Sequence, residues 1–295
     1  MSLRLEMLQV ARLAPRMLGE SVELVREFLL RPIAEKGSGV DRDGRADLYY
    51  TIFALAGLDA LAVEWPREKV VGYLANASKL DELDFVHLGA LARCWAAVGL
   101  ERMPAGLADS IAARIEYHRS SDGGYEAEPG AQDGNAYGCF VALGAYQDLG
   151  RELPEPLRLV QCLKLLERAD GGWANARQVK AGSTNATAAA VTLLHQMGMP
   201  LGTAPAEFLL QQLHPEGGFV AVPGAPLPDL LSTATALHAL ACLESTLPER
   251  AQELCLDFMD TLWSAEGGFH GHWADDMLDA EYTFYGLLAL GHLAT

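Results

Sequence analysis

The chain has 295 residues, half of them apolar, and a formal net charge of −17, with an isoelectric point near 4.8. That balance opposes electrostatic capture of nucleic acid or anionic lipid, both of which need basic surface. Five cysteines, Cys94, Cys139, Cys162, Cys242 and Cys255, have neither CxxC metal spacing nor the density of a secreted disulfide scaffold, so buried reduced thiols are expected.

Residues 1–18 carry charges among their apolar positions, so no signal peptide is expected. No apolar run approaches the roughly 20 residues of a membrane span, and the chain reads as cytoplasmic. Residues 1–36 fall outside the pattern that follows and are expected to form a helical extension that packs on the rest or plugs one end. Tyr50 to Leu58 (YTIFALAGL) then opens a series, because it matches Tyr282 to Leu290 (YTFYGLLAL), and His87 to Trp95 fits the same frame. Next comes a cassette of an acidic residue, two glycines and an aromatic: Asp122-Gly123-Gly124-Tyr125, Asp170-Gly171-Gly172-Trp173, Glu216-Gly217-Gly218-Phe219 and Glu266-Gly267-Gly268-Phe269. Each cassette leads through a short linker into an alanine-rich helical stretch. Alignment on its first turn places Thr51, Leu88, Gly138, Thr187, Thr233 and Thr283 in register, at intervals of 37, 50, 49, 46 and 50 residues. A repeat that runs nearly end to end argues for one domain over residues 1–295.

Each unit pairs two helices. The first tends to open on proline (Pro66, Pro104, Pro154 or Pro156, Pro205 and Pro248), whose missing N–H costs nothing in a first helical turn. The second is apolar around most of its circumference, as in Ala186 to Leu194 and Ser232 to Leu240, which predicts an inner position. Six such hairpins can stack openly or close into a ring. The last repeat runs to residue 294 with no polar cap, so closure on the first repeat is expected and the fold class is all-α, an (α/α)6 toroid.

A Gly-Gly-aromatic turn followed by Asp-x-x-x-Thr at the start of an inner helix resembles the repeat of protein prenyltransferase β subunits and of squalene and terpenoid cyclases, over roughly residues 37–294. The resemblance implies an apolar central cavity for an isoprenoid chain, open at one mouth. Four residues before the alignment position stand Asp47, Asp84, Gly134, Ser183, Asp229 and Asp279, a set that reads first as helix caps. Parallel inner helices would gather these caps, and the positive ends of their dipoles, at that mouth.

Carried over from the zinc-dependent prenyltransferases, the metal-binding Asp falls on Asp229, the Cys on Leu231 and the His on Tyr282. Leucine offers no lone pair, so no zinc is expected there. The Asp-x-Asp-Asp run of protonating cyclases is absent; its nearest counterpart is Asp275-Asp276-Met277-Leu278-Asp279. With His270 and His272 these carboxylates could hold a divalent cation such as magnesium, or be a solvated loop. The family's Arg-x-x-Lys for diphosphate reappears one repeat early as Arg177 and Lys180, a fork and a point charge for phosphate oxygens, or a plain surface loop.

Asp229, Asp279, Tyr282 and Asp276 are therefore the candidate catalytic residues. Asp47, Tyr50, Asp84, His87, Tyr137, Arg177, Lys180, Trp173, Phe219 and Phe269 are the candidate substrate-binding residues. Tyr49, Phe53, Phe140, Phe284 and Tyr285 could also line the cavity, where rings would face a carbocation, or be core. The expected ligand is an isoprenoid, with or without its diphosphate, or another apolar small molecule, and a helical partner subunit is conceivable. Two other readings stay open: a non-catalytic carrier or scaffold of the same fold, and a carbohydrate-active (α/α)6 barrel with paired carboxylates.

Overall fold

The structure, a computed structural model, describes residues 1–294. Two short helices, α1 (Leu3–Ala11) and α2 (Pro15–Leu18), precede an alternation of outer and inner helices. The outer ones are α3 (Val22–Lys36), α5 (Arg67–Ala77), α7 (Leu107–Glu116), α9 (Pro156–Leu166), α11 (Ala204–Gln211) and α13 (Glu249–Leu262). The inner ones are α4 (Leu48–Ala60), α6 (Phe85–Val98), α8 (Ala136–Asp148), α10 (Thr184–Gln196), α12 (Leu230–Cys242) and α14 (Ala280–Leu293). Each inner helix packs on the next, and α14 returns onto α4, so the ring closes.

Residue distribution explains the two layers. On α13 only Ala251, Cys255, Phe258, Met259 and Leu262 are buried, a single stripe at helical spacing. On α12 burial runs around the helix, since Ser232, Ala234, His238 and Ala239 are buried as well as the stripe from Leu230 through Thr233 and Leu237 to Leu240. A one-sided helix faces one neighbour, whereas an all-round apolar one must be enclosed. Pro156 and Pro205 lie in the first turns of α9 and α11, and Pro66 and Pro248 stand immediately before α5 and α13.

The first cassette glycine shows how repeats join. Gly123, Gly171, Gly217 and Gly267 have φ of +92°, +88°, +93° and +93°, values that L side chains rarely adopt. A Cβ on each would strike the following outer helix: 2.4 Å from Arg158 Cβ on α9, 2.9 Å from Ala204 O on α11, 1.8 Å from Leu254 O on α13 and 2.1 Å from Leu24 O on α3. The last contact carries the series from the fourth cassette onto α3 and makes α3 the outer helix of the first repeat.

This corrects the expectation that residues 1–36 lie outside the repeat, since only the segment before α3 does. The first cassette has decayed to Gly37-Ser38-Gly39-Val40, without acid or aromatic. Its hairpin survives: β1 (Gly39–Val40) pairs with β2 (Ala46–Asp47) as β3 (Phe219–Val220) pairs with β4 (Pro228–Asp229), setting Gly39 opposite Asp47 and Phe219 opposite Asp229.

One repeat is also shifted by a residue. Helix α8 is capped by Asn135, whose Oδ1 accepts from Gly138 N at 2.5 Å, and not by Gly134. Cys139, not Gly138, therefore corresponds to Thr187 and its counterparts. Gly134 instead lets two backbones touch, because a Cβ there would sit 2.7 Å from Gly124 Cα.

Helix α1 crosses the end of the ring opposite the inner-helix N-termini and packs on α14, α4 and α8. Leu3 N donates to Gln147 Oε1 at 2.8 Å, and buried Asp148 takes Arg4 Nε at 3.2 Å and Arg93 Nε at 3.3 Å. Cys94, Cys139, Cys162 and Cys255 are buried, Cys242 is partly so, and all five are free thiols. Among the described residues no helix is long and apolar enough to cross a membrane.

Gly267 and Gly44 separate the two reasons for a glycine. Both have positive φ, but a Cβ on Gly44 would meet nothing within 4 Å. Gly44→Ala should cost about 1 kcal/mol, the strain of the backbone alone. Gly267→Ala should cost at least about 3 kcal/mol, because α3 must also move. Urea unfolding measures both, and equal losses would mean that this contact does not hold the ring shut.

Candidate functional site

The N-terminus of each inner helix is built by a cap and, in four repeats, a threonine. Asp47, Asp84, Asn135, Ser183, Asp229 and Asp279 each accept a first-turn N–H three residues on. One turn later the threonine hydroxyl accepts the N–H that opens the preceding hairpin. Thr187 takes Trp173 N at 2.8 Å, Thr233 takes Phe219 N at 2.9 Å, Thr283 takes Phe269 N at 3.4 Å and Thr51 takes Gly39 N at 2.8 Å. Thr233 and Thr283 pass their own protons to the carbonyls of Asp229 and Asp279, both at 2.7 Å.

With that frame fixed, one repeat position points at the axis. Two residues before the threonine position stand Tyr49, Val86, Tyr137, Asn185, Leu231 and Glu281, and all six line the central cavity. Two residues after it stand Phe53, Ala90, Val141, Ala189, Thr235 and Tyr285, which line it one turn deeper. The cavity has a lobe of about 220 Å³ and a smaller one of about 80 Å³, both walled by Tyr49, Tyr137, Phe140 and Tyr285. Because one position from every repeat meets there, all six N-termini share one mouth.

Glu281 is the carboxyl of the cavity's first-turn ring. Burial pushes its pKa up to about 7, and its Oε1 accepts the Tyr49 hydroxyl at 2.6 Å. Tyr49 also meets Phe53 edge-on at 5.0 Å, and Phe53 lies 5.5 Å from Tyr285. The result is an aromatic wall around an acid held near neutrality, an arrangement typical of a group that exchanges protons. Glu281 is masked in the sequence by the cap Asp279 two residues before it. The available signal was an acid in a column otherwise holding Tyr49, Val86, Tyr137, Asn185 and Leu231.

The other candidate residues fall into separate groups. His87 bridges two caps, with Nε2 3.1 Å from Asp47 Oδ2 and Nδ1 2.8 Å from Asp84 Oδ1. Hydrogen bonding to Asp47, and then to Asp84, raises its pKa to about 9. Arg42, which the sequence did not single out, joins the first repeat to the last: Nε reaches Asp279 Oδ2 and Nη2 reaches Asp275 Oδ2, each at 2.9 Å, and the guanidinium lies 5.4 Å from the Tyr282 ring centre. Burial raises the Asp279 carboxyl, and the same burial lifts Tyr282 to about 12. Arg42 thus stands where a divalent cation would have used Asp275 and Asp279. His270 and His272 are turned to backbone, toward Met277 O and Ala274 N. Asp276 is exposed.

Arg177 binds Asp122 Oδ2 at 2.9 Å and Asp133 Oδ1 at 3.0 Å, and Lys180 is exposed; neither lines the cavity. Trp173, Phe219 and Phe269 are buried beneath their own turns, and Trp173 Nε1 donates to Leu163 O at 2.9 Å. They too are absent from the cavity wall, because the threonine bond fixes their backbone behind the inner helix. Tyr50 leans edge-on to Tyr49 at 5.6 Å, and Tyr137 is on the cavity. Asp229 holds Ser232 N and Oγ at 2.7 Å, Leu231 is apolar wall, and Tyr282 packs under Gly271. These residues do not fit the family's zinc.

The His87 bridge gives stability a pH dependence. A histidine whose folded pKa lies above the ordinary 6.5 stabilises fully below that value, and the contribution is lost as pH rises toward about 9. Unfolding free energy should fall over that window by on the order of 1 kcal/mol, since solvent screens the half-exposed ring. His87→Gln should flatten the profile between pH 6.5 and 9; an unchanged slope would place its origin elsewhere.

Comparison of the whole fold finds related architectures in enzymes of several kinds. A type II terpene cyclase from Scytonema in complex with geranylgeranyl dihydroxybenzoate superposes with TM-score 0.62 at 15% identity, over 96% of this chain and 97% of that one. Candida albicans protein geranylgeranyltransferase-I, complexed with GGPP, superposes with TM-score 0.64 at 13% identity, over 92% and 90%. An α-1,6-mannanase of Salegentibacter gives TM-score 0.57 at 14% identity, over 94% and 98%. At such identities the likeness is one of fold. A comparison with curated protein sequences returns no match. The model of the prenyltransferase alpha-alpha toroid domain matches residues 15–88 and 187–293, more than half of the chain and across the closure of the ring, and the chain belongs to that family.

Proposed function

We propose that the protein binds a short isoprenoid through its apolar body in the central cavity, with Glu281 meeting the one polar function that the ligand carries. The observation that supports this most strongly is the double ring of inner-helix side chains, mostly aromatic and aliphatic, in which Glu281 is the one carboxyl, the Arg93–Asp148 pair lying on the wall of the smaller lobe. Pockets for organic ligands commonly measure roughly 300–1,000 Å³, and these lobes of about 220 and 80 Å³ fall at or below that range. A ten- or fifteen-carbon chain suits them better than a longer one.

A diphosphate is the less favoured head group. Arg42, Arg177 and His87 each already face two carboxylates, so little positive charge is left for phosphate oxygens. Asn185 in the first-turn ring and Thr235 one turn deeper are joined by a 2.9 Å hydrogen bond and suit a hydroxyl, carbonyl or epoxide oxygen. An acid near pH 7 serves proton transfer to such an oxygen, in the way of a cyclase or a prenyl-transferring enzyme without zinc. A non-catalytic carrier would use the same cavity, and the raised acid favours the enzyme. Apolar lining argues against a sugar, in spite of the mannanase fold.

Calorimetric titration with farnesol and with farnesyl diphosphate, each with and without magnesium, tests the reading. Farnesol should bind, and Ala189→Trp, which fills the wider lobe, should weaken it at least tenfold. The diphosphate should bind no more tightly, and Arg177→Ala should leave both unchanged. Tight diphosphate binding that needs Arg177 would overturn the neutral-head reading, and no heat with either ligand would overturn the proposal. Glu281→Gln should keep farnesol affinity within about threefold, because the amide preserves shape and a hydrogen bond, while abolishing any turnover.

A further inference from the structure

At the opposite end of the ring the cavity floor carries three unlike ligating groups. Glu6 comes from the plug helix α1, and His238 and Cys242 come from α12, one turn apart and hence on one face of that helix. One donor atom from each lies within 4.8 Å of the others. None of the mouth residues belongs to this cluster.

His238 is only 4% exposed, and its Nε2 is buried without any hydrogen-bond partner. An orphaned buried nitrogen on a polar side chain needs a reason. Its other nitrogen, Nδ1, lies 3.2 Å from His292 Nε2. If Nδ1–H donates to His292, the lone pair of Nε2 is left for a ligand. That is the outer-shell arrangement by which proteins fix the tautomer of a metal-bound histidine. Glu6 is also held in place: Oε2 accepts from Gln196 Nε2, and Oε1 is 3.8 Å from both Cys242 Sγ and His195 Nε2.

We infer that Glu6, His238 and Cys242 form a binding site for a divalent transition-metal ion, zinc by preference, which ties the plug helix α1 to the inner ring at the floor of the cavity. Thiolate, imidazole and carboxylate together select zinc-like ions over magnesium or calcium. Charge balance supports the assignment, because one carboxylate and one thiolate neutralise a dication and leave a buried site without net charge. On binding, Cys242 S–H loses its proton to solvent and the sulfur lone pair forms the bond to the metal, so one proton leaves per ion. A tetrahedral ion with bonds of about 2.0–2.3 Å sets its donors about 3.5 Å apart, and Glu6 Oε1 already lies 3.8 Å from Cys242 Sγ. His195, whose Nε2 lies 3.8 Å from Glu6 Oε1, is one further donor, and water is another.

Cobalt(II) titrated into chelator-treated full-length protein tests this, because a thiolate ligand gives a sulfur-to-cobalt charge-transfer band and carboxylates and imidazoles alone do not. The band should rise to one equivalent, vanish on adding zinc, and release one proton per ion. Cys242→Ser should remove the band, and His238→Gln should weaken binding at least tenfold. Cys255→Ser, at a buried cysteine far from the cluster in sequence, should change neither. Should either site variant fail to fold, zinc protection of Cys242 from a thiol reagent in the unsubstituted protein gives the same answer. No band at one equivalent, a band that persists in Cys242→Ser, or cobalt held without a thiolate by the His270 and His272 loop would overturn the inference.

Discussion

One hydrogen bond decides where everything else sits: the threonine hydroxyl at the inner-helix start that accepts the N–H of the preceding cassette aromatic. At Thr187, Thr233 and Thr283 it ties the turn to the helix fourteen residues on, and at Thr51 the decayed first cassette keeps the same bond through Gly39. Being β-branched, threonine has little rotamer freedom in a helix, so the bond costs little entropy and fixes helix phase. Phase then dictates burial. The aromatic goes behind the inner helix, and the residue two positions before the threonine goes to the axis. The lining of the cavity is therefore a consequence of the repeat rather than a feature added to it.

The charges at the mouth follow from the same geometry. Six parallel helices present six positive dipole ends to one place, and the chain answers with caps, four of them aspartates. Those carboxylates recruit the local cations in turn: His87 between Asp47 and Asp84, Arg42 between Asp275 and Asp279. Arg42 performs a second task, because it reaches from the first repeat to the last and joins α3 on Gly267 in closing the ring. Much of what reads as catalytic machinery in the linear sequence is thus engaged in holding the helix starts together. Charge is largely neutralised at the rim, and the axis is left mostly to aromatic and aliphatic groups, with Glu281 in the first-turn ring and the paired Arg93 and Asp148 in the smaller lobe.

The repeat was legible because glycine, proline and alanine punctuate it for steric reasons that do not depend on context. Inner and outer layers, ring closure and the cap residues could all be read from those signals. The misreadings have local causes. Helix α3 was set outside because Gly37-Ser38-Gly39-Val40 keeps the hairpin hydrogen bonds, which are backbone, and has lost the side chains that announce them. The α8 frame slipped because Gly134, next to Asn135, serves a close backbone approach and mimics a cap position. Trp173, Phe219 and Phe269 looked like a ligand-facing set, yet spacing alone does not tell the two sides of a helix start apart until the threonine bond is known. Glu281, Arg42 and the Glu6, His238 and Cys242 cluster depend on contacts between distant repeats, which no single repeat reveals.

The proposed function requires that the axis of the ring enclose an apolar space rather than a hydrated polar one. Apolar cavities stay dry and take up xenon, whereas polar ones hold ordered water with two to four partners. Diffraction from crystals pressurised with xenon reads this directly. Xenon should bind in the wider lobe, among Phe140, Ala188, Ala189, Leu231 and Tyr285. A chain of ordered waters linking Glu281, Asn185, Thr235 and His238, with no xenon bound, would contradict it.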